Sequence, residues 1–172
     1  KHWIPGVVRR PVAWVASFAE WMGALIFDAI VPATPKIAER FPPAKTVLVQ
    51  NVPILNELVA PAQQAYTSRN PAFAYIGGIT RERGVLEMLT ALDLLPASLD
   101  VRLELAGVFT PTRLEEETRT SVGWARVRFH GWADRPAVFR LLERCRAGMV
   151  LLHPTRNYVD ALPVKMFEYM AA

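Results

Sequence analysis

From residue 72 onward, short apolar runs alternate four times with segments of helical spacing, and this alternation constrains the fold more than any other feature. Residues 72–76 (AFAYI) read as a buried strand running into Gly77-Gly78. Val85, Leu89 and Leu92 then recur at helical spacing. Residues 101–106 (VRLELA) form a second strand, followed by a segment that opens at Pro111-Thr112 and carries Glu115-Glu116-Glu117. Residues 126–130 (RVRFH) are a third. Asp134 as a cap and Pro136 in the first turn open a helix that buries Val138, Leu141, Leu142 and Cys145. Residues 149–152 (MVLL) are the fourth strand, and Pro163 starts a helix that runs to Ala172. Strands that alternate with helices in this way predict an α/β fold: a Rossmann-like parallel sheet with helices on both faces. Arg102 and Glu104 break the apolar character of the second strand, which places that strand towards a sheet edge.

Ahead of residue 72 the rhythm differs. The pattern predicts a helix near 13–27, short strands at 28–31 and 46–49, and a turn or helix at 35–41 between them. Residues 1–55 therefore read as the closing part of a preceding Rossmann-like domain, 56–71 as a linker, and 72–172 as a second, incomplete domain. On this reading the chain is truncated at both ends.

Composition narrows the function classes. The 20 basic and 16 acidic residues leave a formal charge of +4, and the basic residues are scattered. No dense Lys/Arg run interleaved with aromatics speaks for nucleic acid. Anionic small molecules and an anionic membrane surface both suit the charge. Cys145 is the single cysteine, so an internal disulfide is excluded and core packing is its expected role. The most apolar stretch, residues 11–31, is interrupted by Glu20 and Asp28, and its longest uncharged run falls short of the ~20 residues that a membrane span needs. Trp3, Trp14 and Trp21 with Arg9 and Arg10 suit a peripheral contact at a membrane interface; helix packing inside a domain is the other reading, and the favoured one. No Asp-x-Asp occurs, and His2, His130 and His153 lie far apart, so no metal site is expected.

In an open parallel sheet, ligands bind beyond the carboxyl ends of the strands, here the loops at 77–83, 107–111, 131–134 and 153–162. The unusual residues of the second half cluster in these loops. Gly77 and Gly78 let backbone approach a ligand ahead of a helix N-terminus, and Arg83 in its first turn suits phosphate oxygens. A tight glycine turn with solvated arginines accounts for the same residues. Asp160 stands just ahead of Pro163, and Glu168 interrupts the face formed by Val164, Phe167 and Ala172. A carboxylate there needs a partner, either ribose hydroxyls or a nearby Lys or Arg, while Asp160 is a ligand group or a helix cap.

Three runs in this order and spacing, AYIGGITRERGVLEMLTAL, VRFHGWADRPAVFRLL and LLHPTRNYVDALPVKMFEYMAA, resemble the carboxy-terminal domain of the family 4 retaining glycosyltransferases of GT-B fold. DAIVPATPKIAERF and TVLVQNVP resemble the end of that family's first domain, so the resemblance covers nearly the whole chain. It implies transfer of a sugar from a nucleoside diphosphate donor to a sugar, lipid-linked or polysaccharide acceptor, with retention, without metal or cofactor, in the cytoplasm or at the inner face of a membrane. The family's basic residue on the diphosphate falls on Arg83; a second basic position falls on Gly78, which halves the cationic clamp. The paired carboxylates fall on Asp160, facing the donor sugar, and Glu168, on the ribose. Pro163 removes a backbone N–H that many members offer there. Lys165, one turn from Asp160, either compensates in the catalytic centre or is an exposed helix lysine. Gly77 and Leu162 fall among the donor-binding positions, and Trp132 lies beside the base or in the core. A nucleotide-sugar epimerase on the same architecture and a non-catalytic nucleotide-sugar-binding or membrane-associated scaffold are the alternatives. A fragment lacking the opening of its first domain is expected to bind nucleotide without turnover.

Overall fold

The computed structural model describes residues 5–50, 52, 65–155, 157–159 and 161–172, and the chain divides into two units, Lys1–Asn51 and Val52–Ala172. The expected linker lies mostly outside the described residues, as do Trp3 and Asp160.

In the first unit, helix α1 spans Gly6–Ile26, starting well before residue 13. Pro11 lies inside it, where the missing N–H forfeits one helical bond close to the start. At the far end Lys45 Nζ donates to the carbonyls of Leu25 (2.9 Å) and Phe27 (3.0 Å), placing a cation on the negative end of the helix dipole. Trp14 and Trp21 are exposed. No helix among the described residues is long and apolar enough to cross a membrane. The segments expected as strands at 28–31 and 46–49 instead meet in a single parallel bridge, Ile30 to Thr46, flanked by Ile30 N to Lys45 O and Val47 N to Ile30 O. Val49 N still donates to Pro32 O at 3.1 Å, but Pro32 has no N–H to return a bond and the partner segment emerges from a 3-10 turn at Pro43–Lys45, so no strand is built. Between the two lies α2, Pro35–Ala38, with Thr34 Oγ1 capping Ile37 N.

Among the described residues, the second unit is built on a four-stranded sheet of β1 (Asn70–Ile76), β2 (Arg102–Ala106), β3 (Val127–Gly131) and β4 (Cys145–Gly148). All neighbours are parallel and the order is β3-β2-β1-β4. One face carries α3 (Val85–Asp93) and α4 (Arg113–Arg119). Val85, Met88, Leu89 and Leu92 of α3 close over Tyr75, Leu103 and Leu105, and all are buried. Each such side chain contributes roughly 1.5–3 kcal/mol when fully buried. The other face carries α5 (Arg135–Arg144) and α6 (Val164–Ala171), which pack Leu142, Leu141 and Tyr169 around Ala72, Ala74 and Cys145. Asp134 Oδ1 accepts from Ala137 N at 2.9 Å and Pro136 sits in the first turn, as the sequence predicts. This is an α/β domain with a Rossmann-like parallel sheet flanked by helices.

Two strand expectations are corrected. The fourth strand is Cys145–Gly148, not 149–152. Helix α5 ends at Arg144 and passes straight into the strand without a loop, so Cys145 begins β4 rather than lying on the helix. Pairing persists only to Met149 N, which donates to Ala74 O at 2.8 Å; Met149 and Leu151 then cover the core from beyond the sheet. Likewise β2 is interior, hydrogen-bonded to both β1 and β3. Its polar residues are tolerated because α5 packs on β1 and β4, leaving Glu104 free to pair with His130 on β3.

Candidate functional site

The connections β1–β2 and β2–β3 run over one face and β3–β4 over the other, so the winding reverses between β1 and β4. In such a sheet the connections leave in opposite directions at that point, which opens a crevice beyond the carboxyl ends of those strands. The loops after β1, β2 and β3 are laid against each other by backbone. Gly77 N donates to Ala106 O (2.9 Å), Ile79 N to Val108 O (2.9 Å), and Gly107 N to Gly131 O (2.7 Å). The approach is so close that a Cβ on Gly107 would lie 1.9 Å from Gly77 O, and Gly107 has φ +146°. A cavity of about 240 Å³ remains, with Gly77, Gly78, Gly107 and Trp132 among its lining. Trp132 is 75% exposed, which rules out the core position.

Arg83 precedes α3 instead of standing in its first turn. A 3-10 turn, Arg81–Arg83, comes first, and Gly84 at φ +71° separates it from the helix. Thr80 Oγ1 caps that turn by accepting from Arg83 N at 3.3 Å. The guanidinium folds back over the glycine pair: Nη1 donates to Gly78 O and Nε to the Tyr158 hydroxyl, each at 3.3 Å. A Cβ on residue 78 would stand 2.9 Å from Nη1, so the missing side chain at Gly78 is the space that Arg83 occupies. The Tyr158 hydroxyl bond is the main cause that holds the Arg83 pKa above its ordinary value.

Lys165 enters from the first turn of α6. It is not an exposed helix lysine: Nζ is buried, has no hydrogen-bond partner among the described residues, and lies 3.9 Å from the centroid of the Tyr75 ring. Burial, with Arg83 second, pulls its pKa down to about 8. Tyr75 donates its hydroxyl to Gly78 O at 2.8 Å, and burial raises its pKa. Two cations and two phenols from four segments thus converge beside Gly78. Tyr75 and Tyr158 were not marked by the sequence, where one reads as core and the other as loop; nothing short of the tertiary fold joins them to Arg83.

The remaining predicted residues stand apart from this cluster. Glu168 accepts from Arg135 Nη1 at 3.3 Å, the ion-pair alternative to a ribose contact. Leu162 is exposed in the segment ahead of α6. Asp160 lies outside the described residues. The second unit therefore belongs to the class of α/β domains with a Rossmann-like parallel sheet, with Arg83 and Lys165 set beside Gly78 and a cavity beyond the ends of β1, β2 and β3 that Gly78 lines. No protein-family model and no curated protein matches the chain.

Proposed function

We propose that the second unit binds a nucleoside diphosphate sugar, as the donor half of a metal-independent retaining glycosyltransferase. The observation that carries this reading is Lys165: a buried ammonium without a hydrogen-bond acceptor among the described residues, beside Arg83, at the end of a parallel sheet. An unpartnered buried cation is costly, and a bound anion relieves that cost. The diphosphate supplies the missing acceptors. Arg83 offers its free N–H groups and Lys165 its ammonium, and together they neutralise charge that grows on the diphosphate as the sugar leaves. Trp132, exposed at the rim of the cavity, gives a planar surface for the base. Gly77 and Gly78 leave room for the donor to approach backbone. Glu168 reaches the ribose by exchanging its bond to Arg135 for sugar hydroxyls, and Asp160 and Leu162 complete the donor side in the family pattern. The sugar passes to an acceptor hydroxyl on the same face from which the diphosphate leaves, and the acceptor proton goes out with the leaving group.

Calorimetry with a panel of nucleoside diphosphates is the direct test. Arg83→Ala is expected to weaken the best of them by ~1.5–3 kcal/mol, the worth of a charge-assisted contact, without unfolding the sheet. Equal affinity in variant and parent would remove Arg83 from the site and the reading with it.

A further inference from the structure

A second cavity, of about 480 Å³, lies on the opposite side of the sheet, between α5 and the uncovered faces of β2 and β3. It runs from Asn70 and Cys145 at the start of the strands to Trp132 and Ala133, the two residues that it shares with the crevice. Its chemistry differs from that of the surrounding surface. Among the described residues of this unit, Arg113, Arg128, Arg140 and Arg144 are the arginines that no hydrogen bond, ion pair or ring contact engages, and the last three all line this groove. The others are taken: Arg102 by Asp100, Arg119 by Glu115, Arg126 by the carbonyls of Leu99 and Pro96, Arg146 by Arg69 O. The carboxylates of the groove are also taken, since Glu104 pairs with His130 and Asp134 caps Ala137 N. Three guanidinium groups therefore line one concavity with two carboxylates, so cationic groups outnumber anionic ones there and none of the three is held by a partner.

Arg140 and Arg144 stand one turn apart on α5, about 6 Å between Cβ atoms, with Arg128 opposite on β3. That spacing suits an anion with several oxygens, because each guanidinium fork matches the edge of a phosphate group. The volume of this half-open groove falls in the range of small-molecule cavities. We propose that this groove is a second anion site that takes a small molecule bearing two or more phosphate groups, independently of the crevice at Gly78.

The test uses the 172-residue chain carrying Arg83→Ala and Lys165→Met, so that the first site is silenced, with inorganic triphosphate as the probe. Calorimetry is expected to show one site. Adding Arg140→Gln and Arg144→Gln, both solvent-exposed at the groove, should weaken it by about tenfold or more. Adding Arg113→Gln, the partnerless arginine outside the groove, should leave the affinity within about twofold. Circular dichroism confirms that each variant is folded. Absence of binding to the silenced chain, a loss under about threefold in the α5 variant, or an equal loss with Arg113→Gln would each overturn the proposal. Binding of nucleoside diphosphate to the parent chain, and its loss with Arg83→Ala alone, reports on the crevice and is read separately.

Discussion

Lys165 has an ordinary pKa of 10.5 in the unfolded chain and about 8 in the folded one, so the unfolded state holds more protons between those values. The contribution of Lys165 to stability then rises as pH rises from 8 towards 10.5, and its penalty is fully present below 8. With an allowance for partial solvation of the side chain, the gain is on the order of 2 kcal/mol. Cys145, pushed up to about 12 by burial, and Tyr75 and Tyr169, raised for the same reason, lower stability above pH 9, so the Lys165 contribution is read in urea titrations at pH 7.5 and 9 as the difference in slope between the parent and Lys165→Met. Equal slopes in the parent and in Lys165→Met would mean that the ammonium is solvated or paired. Anion binding moves the opposite way: affinity for a nucleoside diphosphate should fall above pH 8 as the ammonium is lost. Glu168 makes a sharper case for a single residue's role. Its pair with Arg135 is part-exposed, so Glu168→Gln should cost under about 1 kcal/mol in stability. If the carboxylate serves the ribose, the same change should bring a ribonucleotide and its 2′,3′-dideoxy analogue to within about twofold in Kd. A parent chain that binds both equally would leave Glu168 as a link between α5 and α6 and nothing more.

At the scale of elements, the loops beyond the strands are the least forgiving part of the domain. Gly107→Ala would place a methyl 1.9 Å from a backbone carbonyl at a φ of +146°, and neither loop has a flexible side chain to yield. A destabilisation of ~3 kcal/mol or more is expected, read as a drop in the urea midpoint, whereas a change under 1 kcal/mol would show that the two loops can separate. Such backbone contacts explain what was legible in the sequence and what was not. The starts of α5 and α6 could be read because local chemistry sets them, Asp134 with Pro136 in one and Pro163 in the other. The first three strands could be read because their apolar runs end in Gly77, Gly107 and Gly131, all at positive φ. The fourth could not, because Cys145–Gly148 carries Arg146 outward and begins without a turn, while the apolar run after it covers the core instead of pairing. The loop that holds Gly78 and Arg83 followed from the rule of strand ends, whereas Lys165 was marked by the family resemblance. That Arg83 lies back on Gly78, and that Lys165 is buried against Tyr75, are tertiary facts with no local signature.

For the second unit as a whole, the crevice is assembled from segments far apart in sequence: the β1 loop with Gly78 and Arg83, the turn bearing Tyr158, and the first turn of α6. These segments are joined through the sheet. β1 pairs with both β2 and β4, Ile76 N donates to the Tyr169 hydroxyl of α6 at 2.8 Å, and His153 N in the loop after β4 donates to Glu82 O at 2.8 Å. A ligand that needs all three segments in place should therefore stabilise the sheet as one cooperative body, not merely the loops that touch it. At a nucleoside diphosphate concentration of about 100 times Kd, mass action adds ~2.7 kcal/mol to the unfolding free energy. Amide exchange should register that gain in the core strands 72–76 and 102–106 and in α3, whose amides open only with the sheet, as well as in residues 77–84. If protection rises in 77–84 and 157–159 while the strands keep their original rates, the crevice closes by local ordering, and the sheet is not the element through which Arg83 and Lys165 are held together.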